Sequence, residues 1–477
     1  ARVDSAGWTA EMRIPFSQLR FTAKQDQVWG LEIKRAIPER SEDIYWVLIP
    51  RAAYGYPSYF GRLHGISGIR PSRRLELLPY SAGDLTLRAK PDPLNPFNDK
   101  TQGRVGGDLK VGLGPNLTLD ATVNPDFGQV EADPAVVNLT AFETVFDERR
   151  PFFTEGNELL VGRGLSFLGR PTYFYSRRIG APPHGNVPGD YTRKPGSTTI
   201  LGATKLTGRL GSGLSIGALG AVTPREYATG YTRVPGAFTD VVVESPTGYG
   251  VLRLQQEFGR EKSTVGGTVT GVARDVGTGP MRGLLARRAI TGGSDWRFRF
   301  MRGMYELTGY AGFSQVQGDT AAIRRLQRNS ARFFQRPDQP HVQRLYDPTR
   351  TALSGYTVSV RGDKNAGRFT IGGFQIRMFS PGFEINDLGQ LRRADQIIVS
   401  GDFGFRDTKP SRRLRFWQLS HSFNGSLDYG WKRQPTTINQ NIQLVFPNFW
   451  RWTLRTSHTP RALSDELTRG GPLMGTP

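Results

Sequence analysis

The chain has no cysteine. That excludes a disulfide framework, a zinc ribbon and a thiol nucleophile, and it suits a bacterial envelope protein that needs no redox management. Long apolar runs are missing too: no stretch reaches the 18 or so residues of a membrane helix, and mean hydropathy is −0.43. A β-barrel escapes this test, because its strands need only about 9–11 residues with every second one apolar. Histidine is sparse, and His64, His184, His341, His421 and His458 fall at no HExxH or paired-ligand spacing.

Glycine (58) and aromatics (11%) are plentiful and spread among Ser, Thr and Asn, the composition of many short strands joined by turns. Positive charge is also in excess, at a formal +21 and a pI near 10.4. The basic residues are dispersed along strands and loops, with no recognition helix, RNP-like motif or zinc site. No nucleic-acid partner is therefore expected; a basic lumen or extracellular rim accounts for the charge equally well.

Residues 1–70 carry Trp8, Trp29 and Trp46 in three short strand-like runs, as in the closing part of a small β-sandwich. A Gly- and Pro-punctuated connection over 71–102 follows, and from 103 to 477 a second regime begins. There NLTLDATVN sets Leu117, Leu119, Ala121 and Val123 against Asn116, Thr118, Asp120 and Thr122. SDWRFRFM sets Trp296, Phe298 and Phe300 against Arg297 and Arg299. Roughly fourteen such strands are expected, most with short turns, some with long polar insertions such as GAPPHGNVPGDYTRKPGS. A soluble sandwich or propeller would alternate as well, but no repeat of 40–50 residues is present, and one face is Asn, Gln, Ser, Thr and Arg. The expected fold is all-β: a transmembrane antiparallel β-barrel of about 14 or more strands, with the N-terminal sandwich and one short internal helix.

Alternation stops in segment 124–156, NPDFGQVEADPAVVNLTAFETVFDERRPFFTEG, which gathers Asp126, Glu131, Asp133, Glu143, Asp147, Glu148 and Glu155 beside Arg149 and Arg150. Asp133 as N-cap, Pro134 at the first turn and Leu139, Phe142, Val145 and Phe146 at helical spacing predict a short amphipathic helix ended by Pro151. Such an insertion, with one apolar stripe, fits inside or across the mouth of a barrel as a plug or constriction. Its carboxylates would answer a basic wall. Calcium is a second reading of DFGQVEAD, although the spacing does not match an EF-hand loop; no cofactor is expected. Paired acids for glycan hydrolysis are a third. In AAIRRLQRNSARFF, Arg324, Arg325, Arg328 and Arg332 form a basic helical stripe, either a solvated face or a contact for anionic lipopolysaccharide or solute. Trp450, Trp452 and Tyr429 sit where an aromatic girdle would be. Gly213, Ser215 and Gly217 match G-x-S-x-G in a glycine-rich strand, without the strand-to-helix elbow that a nucleophile needs.

The acidic segment, with YSRRIG (175–180), KLTG (205–208), FFQRPD (333–338) and TRGGP (468–472), closely resembles the bacterial envelope family known as domain of unknown function 5916. The resemblance runs from about Arg70 to the end and implies an outer-membrane β-barrel, in the bacterial outer membrane, preceded by a family 9-like carbohydrate-binding module. GWTAEMRIPFSQLRF looks like the last strands of that module, which makes Trp8, Trp29 and Trp46 candidates to stack on sugar; buried core Trp is the ordinary alternative. The module would begin upstream of Ala1 and the barrel would continue past TRGGP, so a longer protein is expected. The expected role is non-catalytic: binding or passing a glycan or other polar or anionic solute. Lipid, lipopolysaccharide and an envelope protein would be its partners. The alternatives are an envelope glycan hydrolase using the acidic segment, or a sealed barrel serving as scaffold.

Overall fold

Alternation of polar and apolar residues builds the dominant element. The structure is a computed structural model that describes residues 2–5, 7–16, 19, 21, 24–40, 42–49, 59–69, 75–86, 92–97, 100–114, 116–126, 136–138, 142–161, 171–407 and 409–476. Two compact units divide the chain, Ala1–Glu76 with Lys110–Leu119, and Leu77–Leu109 with Asp120–Pro477. Within the first unit, Arg2–Asp4 pairs with Gly7–Thr9, Asp26–Leu31 with Gly61–Ser67, and Lys34–Ile37 with Glu42–Tyr45, all antiparallel. Phe16 and Phe21 pack on Trp29 at ring distances of 5.6 and 5.5 Å.

The large sheet has fifteen strands: β1 (Leu75–Thr86), β2 (Lys100–Leu113), β3 (Leu117–Val123), β4 (Gly202–Arg209), β5 (Leu214–Thr223), β6 (Thr247–Phe258), β7 (Ser263–Arg274), β8 (Arg288–Phe300), β9 (Tyr305–Gln317), β10 (Ala352–Lys364), β11 (Thr370–Phe379), β12 (Gln396–Asp407), β13 (Phe416–Leu427), β14 (Thr437–Val445) and β15 (Arg451–His458). Within this sheet each strand neighbours only the one before and the one after it, an up-and-down meander; Tyr191–Arg193, Glu226–Thr232 and Ala237–Glu244, in the connections, pair in a small sheet of their own. In such a meander alternate connections lie at the same end. At one end they are short, as at 210–213, 259–262, 301–304 and 446–450. The other end carries every long insertion: 124–201, 224–246, 318–351 and 380–395. Short turns opposite long loops are the asymmetry of an outer-membrane barrel.

The burial pattern is inside out. On β7, Thr268, Thr270 and Arg274 are buried while Val265 and Val269 are exposed; on β9, Glu306, Thr308 and Ser314 are buried while Leu307 and Phe313 are exposed. β11 buries Gln375 and exposes Phe374 and Ile376. A water-soluble sheet would place the opposite file inward. Strands of 12 or 13 residues with an apolar outward file match the length and chemistry of a hydrocarbon layer. One inward cluster shows how buried charge is met: Arg253 holds both oxygens of Asp295 at 2.6 and 2.9 Å and donates to Thr268 at 2.7 Å. At the long-loop end the inward file turns apolar. Ala203, Leu219, Val251, Val272, Ala289, Val316 and Leu353, from seven successive strands, share one core with Phe153, Phe174, Ile323, Phe334 and Leu388 of the insertions. Strands so far apart in order can share a core only if the sheet curls around it, as in a barrel.

Three expectations need correction. Leu75–Thr86, inside the stretch read as a connection, is β1; Pro79 is tolerated there because β1 is an edge strand of the sheet. The predicted amphipathic helix does not form: residues 136–138 and 142–150 are irregular, and Pro151 opens a helical turn, α1 (Pro151–Thr154), followed by α2 (Asn157–Val161). Val136, Val137, Thr144 and Val145 are β-branched, the Asn138 amide donates to the Phe142 carbonyl at 2.6 Å, and other side chains take the backbone groups a helix would need. Finally, α3 (Thr320–Arg328) exposes Arg324, Arg325 and Arg328, but Arg332 lies beyond the helix and is buried.

Candidate functional site

The insertion between β3 and β4 crosses the long-loop end as a strap, and its carboxylates explain how. The Glu148 side chain is 6% exposed and fully engaged. Its Oε1 accepts from the backbone N–H of Arg149 (3.0 Å) and Arg150 (2.9 Å) and from Arg150 Nε (2.9 Å), and its Oε2 accepts from Arg150 (2.7 Å) and the Ser176 hydroxyl (2.6 Å). Burial pushes the Glu148 carboxyl up, but the Arg150 guanidinium and these donors outweigh it and hold it below the usual carboxylate range. Arg150 then spends its other N–H groups on the carbonyls of Ile179 (2.7 Å) and Ser176 (2.9 Å).

The same stitching continues upstream. The Tyr175 hydroxyl accepts from the Phe146 N–H at 3.1 Å and donates to the Phe146 carbonyl at 3.0 Å. Arg177 Nε donates to the Asp147 carbonyl at 3.0 Å, and Arg178 forks onto Glu143 at 2.8 and 2.6 Å. These bonds take up backbone groups that a helix over 142–150 would have used. Downstream, Lys205 of β4, 1% exposed, donates Nζ to the carbonyls of Phe152 (2.5 Å) and Glu155 (2.7 Å) and lies 3.6 Å from Asp120.

A second inward segment, 380–395, is fixed from other strands and loops. Arg332 pairs with Glu384 at 2.7 Å and donates to the Phe383 carbonyl at 2.8 Å; Arg274 pairs with Asp387 at 2.5 Å; Ser314 Oγ accepts from the Glu384 N–H at 2.9 Å. Segment 172–178 lies between the two: Tyr175 N–H donates to the Leu388 carbonyl (2.8 Å) and Gln390 N–H to the Thr172 carbonyl (2.8 Å). The sequence motifs thus meet in space. The strap, YSRRIG and KLTG form one assembly. FFQRPD meets TRGGP separately, through Arg336 to the Gly471 carbonyl at 3.2 Å and the Asp338 carboxylate accepting from the Leu473 N–H at 2.6 Å.

Between strap, 329–331 and 386–396 the structure leaves a polar cavity of about 940 Å³. Arg178, Arg392 and Arg393, the carboxylates of Glu143 and Glu466, and several side-chain amides line it, with Phe142, Val145, Phe379 and Leu391 supplying apolar wall. Three further depressions, of about 850, 810 and 750 Å³, are shallow and apolar and belong to the outward face of the sheet, away from these charges.

The predicted site residues separate. Glu143, Glu148 and Arg150 make the strap's ion pairs; Asp147 contributes its carbonyl and exposes its carboxylate; the Arg149 N–H goes to Glu148; Glu155 contributes a carbonyl. Asp126 stands apart, 3.6 Å from Arg104. Glu131 and Asp133 lie outside the described residues. In the first unit Trp8 and Trp46 are exposed, with Arg35 over Trp8 at 5.5 Å, whereas Trp29 is half-buried against two phenylalanines. Trp450 and Trp452 are exposed at the short-turn end, and Tyr429 lies at the opposite end, half-buried. Ser215 is part of β5, in a strand rather than at an elbow. Sequence reading missed Lys205, Arg274, Glu384, Asp387 and Arg392. A lysine in an inward register of KLTG was the one available signal, since a buried cation in a strand needs a partner.

Fold and site together define the class: an all-β chain whose large antiparallel sheet is a barrel of the transmembrane kind, with segments folded into one end. The family model described as Domain of unknown function (DUF5916) matches residues 71–466, and the chain belongs to that family. No curated protein sequence matches it significantly. Among solved structures, OpdK of Pseudomonas aeruginosa with vanillate is similar at 10% identity, over 83% of this chain and 85% of that one, with a TM-score of 0.29. OccAB4 of Acinetobacter baumannii is similar at 8% identity, over 80% and 92%, with a TM-score of 0.27. The siderophore receptor PirA of Acinetobacter baumannii is similar at 8% identity, over 85% and 59%, with a TM-score of 0.26. Superpositions this loose transfer neither residues nor activity.

Proposed function

We propose that this chain is a non-catalytic β-barrel of the bacterial outer membrane that binds a polar, anionic solute at its long-loop end and passes it when the strap yields. The observation that carries this reading is the inside-out sheet enclosing a charged, arginine-lined cavity behind a stitched strap. An apolar outward file belongs in lipid, and loops of this length face the outside in such barrels. Against hydrolysis, Glu143 is neutralised by Arg178 and Glu148 by Arg150, so neither is available as an acid–base partner for Asp147. The reading involves no metal or other cofactor. The exposed Arg324, Arg325 and Arg328 of α3 lie in a long insertion, and in this reading they would meet anionic lipopolysaccharide. A glycan-binding N-terminal module remains part of the proposal, with Trp8 and Trp46 as its exposed aromatics.

The test is single-channel conductance of the full-length refolded protein in a planar bilayer, beside a variant lacking Asp133–Arg149. A closed wild type and a conducting deletion support passage controlled by the strap. Silence in both contradicts passage and favours a sealed barrel with a binding or scaffolding role.

A further inference from the structure

Each carboxylate at the cavity already has an arginine, and the one arginine left over selects a ligand. Arg178 has both nitrogens on Glu143, at 2.8 and 2.6 Å. Arg393 reaches Asp465 and, at 2.7 Å, Glu466. Arg392 has no carboxylate partner among the described residues; its guanidinium lies 4.4 Å from the centre of the Phe142 ring. A cation–π contact of that kind uses the charge but not the hydrogen-bonding capacity of the guanidinium, whose N–H groups stay available to another acceptor. Gln390 and Gln396 line the same cavity, and among the described residues their side-chain amides make no hydrogen bond. Each offers a donor and an acceptor.

We propose that this cavity is a binding site for a monocarboxylate, with Arg392 forking onto the carboxylate and Gln390 and Gln396 bonding neutral polar groups on its body. This rests on the function proposed above and narrows it. One unpaired cation matches one negative charge; a dianion would bring an uncompensated charge beside Glu143 and Glu466. A volume of about 940 Å³ suits a small ligand with room for water. The carboxylate is the shared chemistry, whether it is carried by a sugar acid or an aromatic acid.

The experiment is isothermal titration calorimetry of the full-length protein in detergent with glucuronate, benzoate and glucose, on the wild type, Arg392→Gln and, as control at the short-turn end, Arg260→Gln. Both arginines are exposed, so both variants should keep the heat-modifiable migration of a folded barrel. At least one carboxylate should bind at least tenfold tighter than glucose, and Arg392→Gln should weaken it tenfold or more while Arg260→Gln does not. Glucuronate alone identifies a sugar acid, and benzoate alone an aromatic acid. Glucose binding as tightly as both acids overturns this inference and leaves the broader solute-binding function standing. Arg392→Gln binding like the wild type, or no binding of any probe, also overturns it, and the conductance experiment decides passage independently.

Discussion

Lys205→Met tests whether the strap is held by a buried cation. Methionine keeps the length and apolar stem of the side chain and removes only the ammonium. Lost with it are two charge-assisted hydrogen bonds, to the carbonyls of Phe152 and Glu155, and a cation 3.6 Å from Asp120. Hydrogen bonds to charged groups contribute about 1.5–3 kcal/mol each, so the two bonds together should give the strap roughly 3–6 kcal/mol of local stability that the variant loses. At about 1.4 kcal/mol per decade, that is an increase of about 100-fold or more in its opening equilibrium. Hydrogen–deuterium exchange with mass spectrometry reads this directly. Peptides covering 142–161 should exchange about two decades faster, while β8 and β9, remote from Lys205, stay protected. Exchange over 142–161 within threefold of wild type would refute the anchoring role of Lys205.

Two further predictions follow from local geometry. A Cβ on Gly355 of β10 would collide with the backbone of Gly382 and Phe383, neither of which can move without lifting 380–395 off the wall, so Gly355→Ala should cost about 1–3 kcal/mol, lowering the urea midpoint in detergent; an unchanged midpoint contradicts that packing. His341 Nε2 lies 2.8 Å from the Asp395 carboxylate, and although burial pushes the imidazole pKa down, the hydrogen bond to Asp395 and the charges of Asp395 and Asp428 raise it above its ordinary value. A raised folded pKa contributes stability that is complete below the unfolded value of about 6.5 and disappears as pH rises through the folded one. The melting temperature advantage of wild type over His341→Gln should therefore shrink as pH rises above about 6.5; a constant difference would show that folding does not raise the histidine's pKa.

Legibility in the sequence followed the physics of each part. Alternation in NLTLDATVN and SDWRFRFM revealed strands because a strand's side chains alternate whatever surrounds it, and Arg297 and Arg299 do point inward, where Glu306 answers them at 3.4 and 3.1 Å. The loop asymmetry was legible for the same reason. The strap was recognised as an insertion but given the wrong conformation, because its helical spacing is local while Tyr175, Arg177 and Arg178, which claim its backbone and carboxylates, lie about 30 residues away. Charge pairing was expected in kind, yet Arg332 was grouped with Arg324, Arg325 and Arg328 by spacing alone, whereas its partner Glu384 is 52 residues distant. The cavity was invisible: it depends on which of Arg178, Arg392 and Arg393 finds a carboxylate, and only the fold decides that.

The apolar outward file is the central claim, and the absence of native cysteine makes it directly measurable with single nitroxide labels. Labels at positions 265, 269, 307 and 313 of the liposome-reconstituted protein should collide freely with oxygen and be shielded from a water-soluble nickel chelate, with a label in the 301–304 turn as the aqueous reference. Shielding at all four positions is the result expected of strands that face lipid. Nickel access there equal to that of the turn would place the outward face in water and contradict the membrane barrel.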